Sequence, residues 1–153
     1  LMIHDLDLLV FLLKERPNKV RSYGHKIRTN VWDQVTSEIS FPSGHHAIIS
    51  VGRNHVREVR EVEFSNNQGT LLFDLFSQEI HEANGSAVEL PEMVKSTTYE
   101  KRDHLLLEHE AFYHSIKTDS APVVSFEDGL TAVQMIETIT KSTKEEQELS
   151  FQW

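Results

Sequence analysis

Apolar residues recur along this chain first with a helical period, then in alternation, then with a helical period again. Over residues 2–15, Ile3, Leu6, Val10 and Leu13 fall on one face, and Leu9 and Phe11 widen the stripe. This predicts a helix that stops at Arg16-Pro17-Asn18, because Pro17 pushes its predecessor out of the helical region. Val20 to Gly24 reads as a short strand. From Val31 to Phe41, the residues Val31, Val35, Ile39 and Phe41 are set against Asp33, Ser37 and Ser40, as in a strand with one covered face. Pro42-Ser43-Gly44 predicts a turn into a strand from His45 to Arg53, through Ala47, Ile48, Ile49 and Val51. Val56 to Phe64 alternates again, interrupted by charge, and Asn66-Asn67-Gln68-Gly69 turns the chain into a strand over Thr70 to Asp74.

Residues 82–100 carry no clear period; Asn84-Gly85 offers a turn and Pro91 an interruption. Helical spacing returns after Asp103, a candidate N-cap, and again after Ser125 through Leu130, Val133, Met135, Ile136 and Ile139. Short connections between successive strands argue for an antiparallel meander. One helix, five or six strands and two helices make an α+β fold, an open, mostly antiparallel sheet with helices on one face. The uncovered face must meet water or another subunit, and the apolar run Ala47 to Val51 points to a subunit. Residues 1–142 read as one domain and 143–153 as a charged tail, in which Phe151 and Trp153 are the residues able to dock.

Composition narrows the function. The 153 residues are 39% hydrophobic and 25% charged, enough for one globular core. No apolar run approaches the roughly 18 residues of a spanning helix. The net charge of −9 repels phosphate backbones, and the basic stretch Arg53 to Arg60 has Glu58 within it and Glu61 beside it, so nucleic acid is not an expected partner. The absence of cysteine removes disulfide and thiolate chemistry and fits a cytoplasmic location. Leu1 opens the chain without a capping residue ahead of the apolar run, so the segment reads as the second half of a longer protein.

Candidate chemistry is sparse. His4 and Asp7 stand at i and i+3 on the first helix, where a carboxylate can hold the tautomer of a basic imidazole. The competing reading is a helix-end histidine bonded to a carbonyl. His45 and His46 point to opposite faces of a strand, and His104 and His109 are five apart on a helix, so neither pair suits a metal. Glu127-Asp128-Gly129 reads first as helix-start chemistry. Arg53, with Arg57 and Arg60, suits either an anionic substrate or a solvated strand face. The chain has no glycine-rich dinucleotide fingerprint, no Walker loop and no nucleophile elbow.

Two stretches carry a resemblance. Met2-Ile3-His4-Asp5-Leu6-Asp7-Leu8-Leu9 and Pro122-Val123-Val124-Ser125-Phe126-Glu127-Asp128-Gly129-Leu130-Thr131-Ala132 resemble the H-x-x-D helix and the closing Asp-Gly helix of the glucose–fructose oxidoreductase/inositol dehydrogenase (Gfo/Idh/MocA) family. The order of elements between them agrees, so the likeness covers nearly all of residues 1–142. It implies the substrate-binding and oligomerisation domain of an oxidoreductase that uses NAD or NADP, held mainly by a separate Rossmann domain, to oxidise a hydroxyl of a sugar, polyol or sugar nucleotide. His4 then matches the catalytic general acid/base and Asp7 a substrate-contacting acid, with Arg53 added as a substrate contact from its charge. The resemblance further implies a homodimer or homotetramer formed through the open sheet and no activity without the nucleotide-binding half; the histidine spacing leaves no metal expected. A binding or scaffold protein that keeps the fold without the chemistry is the competing expectation.

Overall fold

The computed structural model describes residues 2–84, 94–100 and 102–153. The expected turn at Asn84-Gly85 and the interruption at Pro91 fall outside the described residues. The chain divides into two compact units, one from Leu1–Asn54 with Ser115–Trp153 and the other from His55–His114.

The first unit opens with α1 (Met2–Leu13), followed by β1 (Lys19–His25), β2 (Gln34–Ser40) and β3 (His46–Gly52). After Ser115 it is completed by α3 (Phe126–Glu145) and β8 (Leu149–Ser150). The four strands form an antiparallel sheet in the order β3-β2-β1-β8, with Lys19 opposite both Ser40 and Ser150. Helices α1 and α3 pack on each other and on this sheet. Between them lie Met2, Leu6, Val20, Ile39, Phe41, Met135, Ile139 and Phe151, which are buried. Burial of such side chains, each contributing about 1.5–3 kcal/mol, holds α1 in place more than its own propensity does.

The alternation in β2 is the first correction. Asp33 and Ser37 share the parity of Val35 and Ile39, so they stand on the inner face with them and not against them. Ser37 is fully buried and accepts a hydrogen bond from the Ser22 hydroxyl at 2.8 Å. The backbone N–H of Ser22 donates in turn to Ser142 Oγ of α3 at 3.0 Å. A polar seam thus runs through the apolar layer with each group paired, as buried polar atoms require. In β3, Ala47, Ile49 and Val51 pack on the core while Ile48 is 74% exposed. Most of the apolarity read there as a subunit contact is therefore spent inside the unit.

The end of the chain is built in. Residues 143–153, read from the sequence as a charged tail, hold the last turn of α3, strand β8 and Phe151, while the Trp153 indole N–H donates to the Pro17 carbonyl at 2.9 Å.

The second unit is a meander of β4 (Glu61–Asn66), β5 (Gly69–Asp74), β6 (Glu79–Asn84) and β7 (Val94–Thr98), all antiparallel. Val62, Phe73 and Ile80 stand opposite one another across three strands, and the Phe64 and Phe73 rings meet edge to face at 6.0 Å. Gly69 closes the β4–β5 turn at φ +152°, where an added Cβ would lie 2.2 Å from the Ala83 carbonyl oxygen. Residues 104–114 of α2 (His104–Thr118) belong to this unit. Asp103 Oδ1 accepts the Leu106 N–H at 3.0 Å, the N-cap expected from the sequence.

The α+β class and the antiparallel pairing agree with the sequence, but the single open sheet is two four-stranded sheets. Residues 53–60 form no strand, and Val56 is fully exposed among charged neighbours.

Candidate active-site face on the first helix

Helix α1 buries Met2 and Leu6 and turns His4 outward. His4 is exposed and has no hydrogen-bond partner among the described residues, so neither ring nitrogen is committed to a carbonyl. Asp7, one turn on, is half-buried and faces a cleft of about 320 Å³. One wall of the cleft is the outer side of α1 with Val10, Phe11 and the residues just after it. The other is the entry to α3, with Val123, Val124, Asp128 and Thr131.

The α3 entry is shaped by its own cap. Ser125 Oγ accepts the Asp128 N–H at 3.1 Å, and Asp128 Oδ2 accepts the Ser125 N–H at 2.7 Å. These bonds, with the Ser125 backbone N–H foremost and then its hydroxyl, hold the Asp128 carboxyl below the usual carboxylate range. Glu127-Asp128-Gly129 is thus helix-start chemistry, as the sequence suggests. The helix end is occupied by its own carboxylate, and no loop of the described residues forms a glycine cradle for a pyrophosphate. A dinucleotide does not fit here.

Where α1 stops, Lys14 takes a left-handed conformation at φ 54°, and its N–H still donates to Val10 at 2.8 Å. Its ammonium lies 3.8 Å from the Phe11 ring centroid, and the Arg16 guanidinium lies 5.2 Å from the Trp153 ring. Glu15 between them also lines the cleft, and its carboxylate accepts the Ser43 N–H at 3.0 Å and the Ser43 hydroxyl at 2.5 Å. Lys14 and Arg16 line the cleft with Asp7, and neither has a carboxylate within 4.0 Å among the described residues. Sequence reading treated these two residues only as the end of a helix. Their place at a cleft depends on α3, 110 or more residues away, which no local pattern reveals.

Arg53 sits elsewhere in the same unit. It follows β3, and its Nε lies 3.5 Å from Asp33 Oδ1 with more than half the side chain exposed. Asp33 is buried and gathers the loop after β1, accepting the N–H groups of Ile27, Arg28 and Thr29 at 2.7–2.9 Å. The Arg28 N–H foremost, then those of Thr29 and Ile27, hold its carboxyl far below the usual range against the opposing effect of burial. Arg53 does not line the cleft beside Asp7. Among the described residues no group of three acids and histidines is placed to hold a metal, and no helix is long and apolar enough to cross a membrane.

Comparison with known proteins decides the lineage. The family model for the oxidoreductase family, C-terminal alpha/beta domain (Gfo/Idh/MocA), matches residues 1–151. The chain belongs to this family. No curated protein sequence matches it. Among solved structures, this Gfo/Idh/MocA domain is similar to UDP-N-acetylglucosamine 3-dehydrogenase from Acidithiobacillus ferrooxidans, with 21% identity and a TM-score of 0.83 over 95% of this chain and 46% of that one. It is similar to levoglucosan dehydrogenase in complex with NADH, with 15% identity and a TM-score of 0.85 over 99% and 49%. A third is aldose-aldose oxidoreductase from Caulobacter crescentus complexed with glycerol, at 19% identity and a TM-score of 0.79 over 97% and 45%. The chain therefore spans just under half the length of these structures.

Proposed function

We propose that this Gfo/Idh/MocA domain is the substrate-binding part of an NAD(P)-dependent oxidoreductase acting on a hydroxyl of a sugar, polyol or sugar nucleotide. The observation that carries this reading is the His4–Asp7 pair, free of structural hydrogen bonds among the described residues and displayed on the outer side of α1 in a chain matched by the family over residues 1–151. It is supported by the similar solved structures reported above, which include a UDP-N-acetylglucosamine dehydrogenase and a levoglucosan dehydrogenase holding NADH.

In this reading the cofactor is held mainly by a Rossmann domain outside this chain, and the chain alone is inactive. What belongs to this chain is the proton and the substrate. A neutral imidazole at His4 takes the proton of the reacting hydroxyl, which raises electron density on that oxygen as its carbon is oxidised, and returns it in the reverse direction. Asp7 accepts hydrogen bonds from neighbouring hydroxyls and so fixes which carbon faces His4. Arg53 offers its remaining N–H groups to a polar part of the substrate. The domain assembles as a homodimer or homotetramer through the open sheet face, on which Tyr23 and Ile48 are exposed. The enzyme operates in the cytoplasm and needs no metal.

The test is titration of the parent protein with NAD(H) and NADP(H), then turnover of a panel of sugars, polyols and sugar nucleotides by it and by His4→Ala. Turnover that falls about 10²–10⁴-fold in the variant supports His4 as the acid/base. Absence of cofactor binding, or turnover indifferent to His4, leaves the scaffold reading in its place.

A further inference from the structure

We propose that the outward side of the first half of α3, with Val123 and Val124 just ahead of it, is a docking surface. Its occupant is the second domain of the parent protein, the one that holds the cofactor in the oxidoreductase reading above. The inference rests on that reading and adds to it where on this chain the cofactor-holding domain sits.

Helix α3 is apolar on two opposite sides. Ala132, Met135 and Ile139 face inward and are buried. At about 100° of turn per residue, Phe126, Leu130 and Val133 recur at four and three and project from the side away from those three. Phe126 is 80% exposed, and Leu130 and Val133 are exposed as well. In the loop leading into the helix, Val123 is 75% exposed and Val124 half-exposed. Further along the same side of α3 stand Glu137, Lys141 and Lys144, so the apolar stretch stops after about two turns. A helix side that met only water would be polar along its length, as this one is in its second half. A contiguous apolar patch confined to the first half marks the footprint of a body that covers that half.

Two observations identify that body. The first is length. The chain matches 95% and 99% of itself to only 46% and 49% of two similar solved structures, which therefore hold about as much polypeptide again beside the matched part. That is the size of a domain able to bind a dinucleotide. The second is place. Val123 and Val124 also line the cleft of about 320 Å³ that Asp7 faces, so a body seated on them adds a wall to the candidate site. Oxidation of a hydroxyl requires such a neighbour. The carbon gives a hydride, with its electron pair, to the nicotinamide while its oxygen gives a proton to His4, so the domain holding the cofactor has to border the unit that carries His4. A second copy of this chain is the weaker occupant. The side of the sheet bearing Tyr23 and Ile48 faces away from the core and from α3, so pairing of copies there leaves the patch uncovered.

The chain contains no cysteine, so single introduced thiols report cover directly. Val123→Cys and Leu130→Cys are made in the parent protein and in this chain, with Val56→Cys, at a fully exposed position, as the reference. Reaction with a maleimide is followed at each introduced residue by mass spectrometry. In this chain both patch thiols are expected to react within about threefold of the reference, and in the parent at least about tenfold more slowly than it, at every protein concentration. Equal rates in the parent and in this chain overturn the proposal. Protection that fades on dilution overturns it too, because a second copy is then the cover. The double variant Phe126→Glu/Leu130→Glu changes two side chains that take no part in the core, so this chain is expected to melt unchanged with it. In the parent the same pair is expected to return the thiol at position 123 to the rate seen in this chain, and a thiol that stays protected overturns the proposal. Failure of the oxidoreductase reading shows separately. A parent that binds neither NAD(H) nor NADP(H) while both thiols stay protected keeps the docking surface and removes the cofactor from the domain seated on it.

Discussion

The Ser22 hydroxyl donates to the Ser37 hydroxyl at 2.8 Å between β1 and β2, and both side chains are sealed from solvent beneath α1 and α3. The contact ties the two central strands at the level where Met2 begins the helix that carries His4, the Ser37 hydroxyl pointing on toward the Met2 sulfur at 3.8 Å. Ser37→Ala is expected to cost about 1–3 kcal/mol, because it strands the Ser22 hydroxyl in the core. Ser22→Ala with Ser37→Ala is expected to cost less than the sum of the two single changes, a coupling readable in urea denaturation. Strict additivity would show that the two hydroxyls act independently.

Asp33 makes stability depend on acid. Its folded-state pKa is depressed by the three N–H groups it accepts, so the carboxylate stabilises the fold fully above its unfolded value near 4. That contribution is lost progressively as pH falls below about 4 toward the lower folded value. Melting followed between pH 2 and pH 6 is expected to show a steep acid loss that Asp33→Asn flattens. At neutral pH the same variant is expected to melt roughly 5 °C lower, since the amide replaces a charged acceptor with a weaker one. An unchanged acid limb in the variant would assign the pH dependence to other carboxylates.

Phe151 anchors the closing strand. Its ring is buried and stacks on Trp153 at 5.4 Å, and its N–H donates to Asn18 at 3.0 Å. Phe151→Ala is expected to cost about 3–5 kcal/mol and to speed amide exchange in β8 and at the start of β1. Wild-type exchange at Lys19 and Val20 in that variant would mean that β8 adds nothing to the sheet.

Much of this was legible in residue order, and the failures share one cause. The helices are readable from their spacing, from Asp103 as a cap and from Glu127-Asp128-Gly129 as a helix start, because those signals are local. The family likeness was readable because its two motifs lie at the ends of one domain. Asp33 and Ser37 read as outward-facing by polarity alone, although their parity with Ile39 puts them inside. A buried polar side chain is allowed only by partners, here the 27–29 loop and Ser22, and partners are not visible in periodicity. Strand β6 escaped because its Glu79, His81 and Glu82 give it too little apolar alternation, though pairing with β5 defines it. The division into two sheets escaped for a related reason, since residues 53–60 look like a charged strand edge until the ladders are known. At the site, His4 and Asp7 were found through spacing and resemblance, whereas Lys14 and Arg16 line a cleft only because α3 lies across it.

Because β8 pairs with β1, and the unit holding both is interrupted by residues 55–114, the order of synthesis bears on how the protein is made. The interrupting meander is contiguous and is complete on the ribosome before α3 has emerged. The unit carrying His4 is not, since its first sheet waits with an open edge and a bare apolar face until Leu149 is added. The nascent chain therefore exposes the inner sides of β1, β2 and β3 while residues 55–114 are being added, the interval in which chaperone capture or misassembly falls. Pairing of Leu149 with Val20, rather than completion of any helix, is what closes this unit.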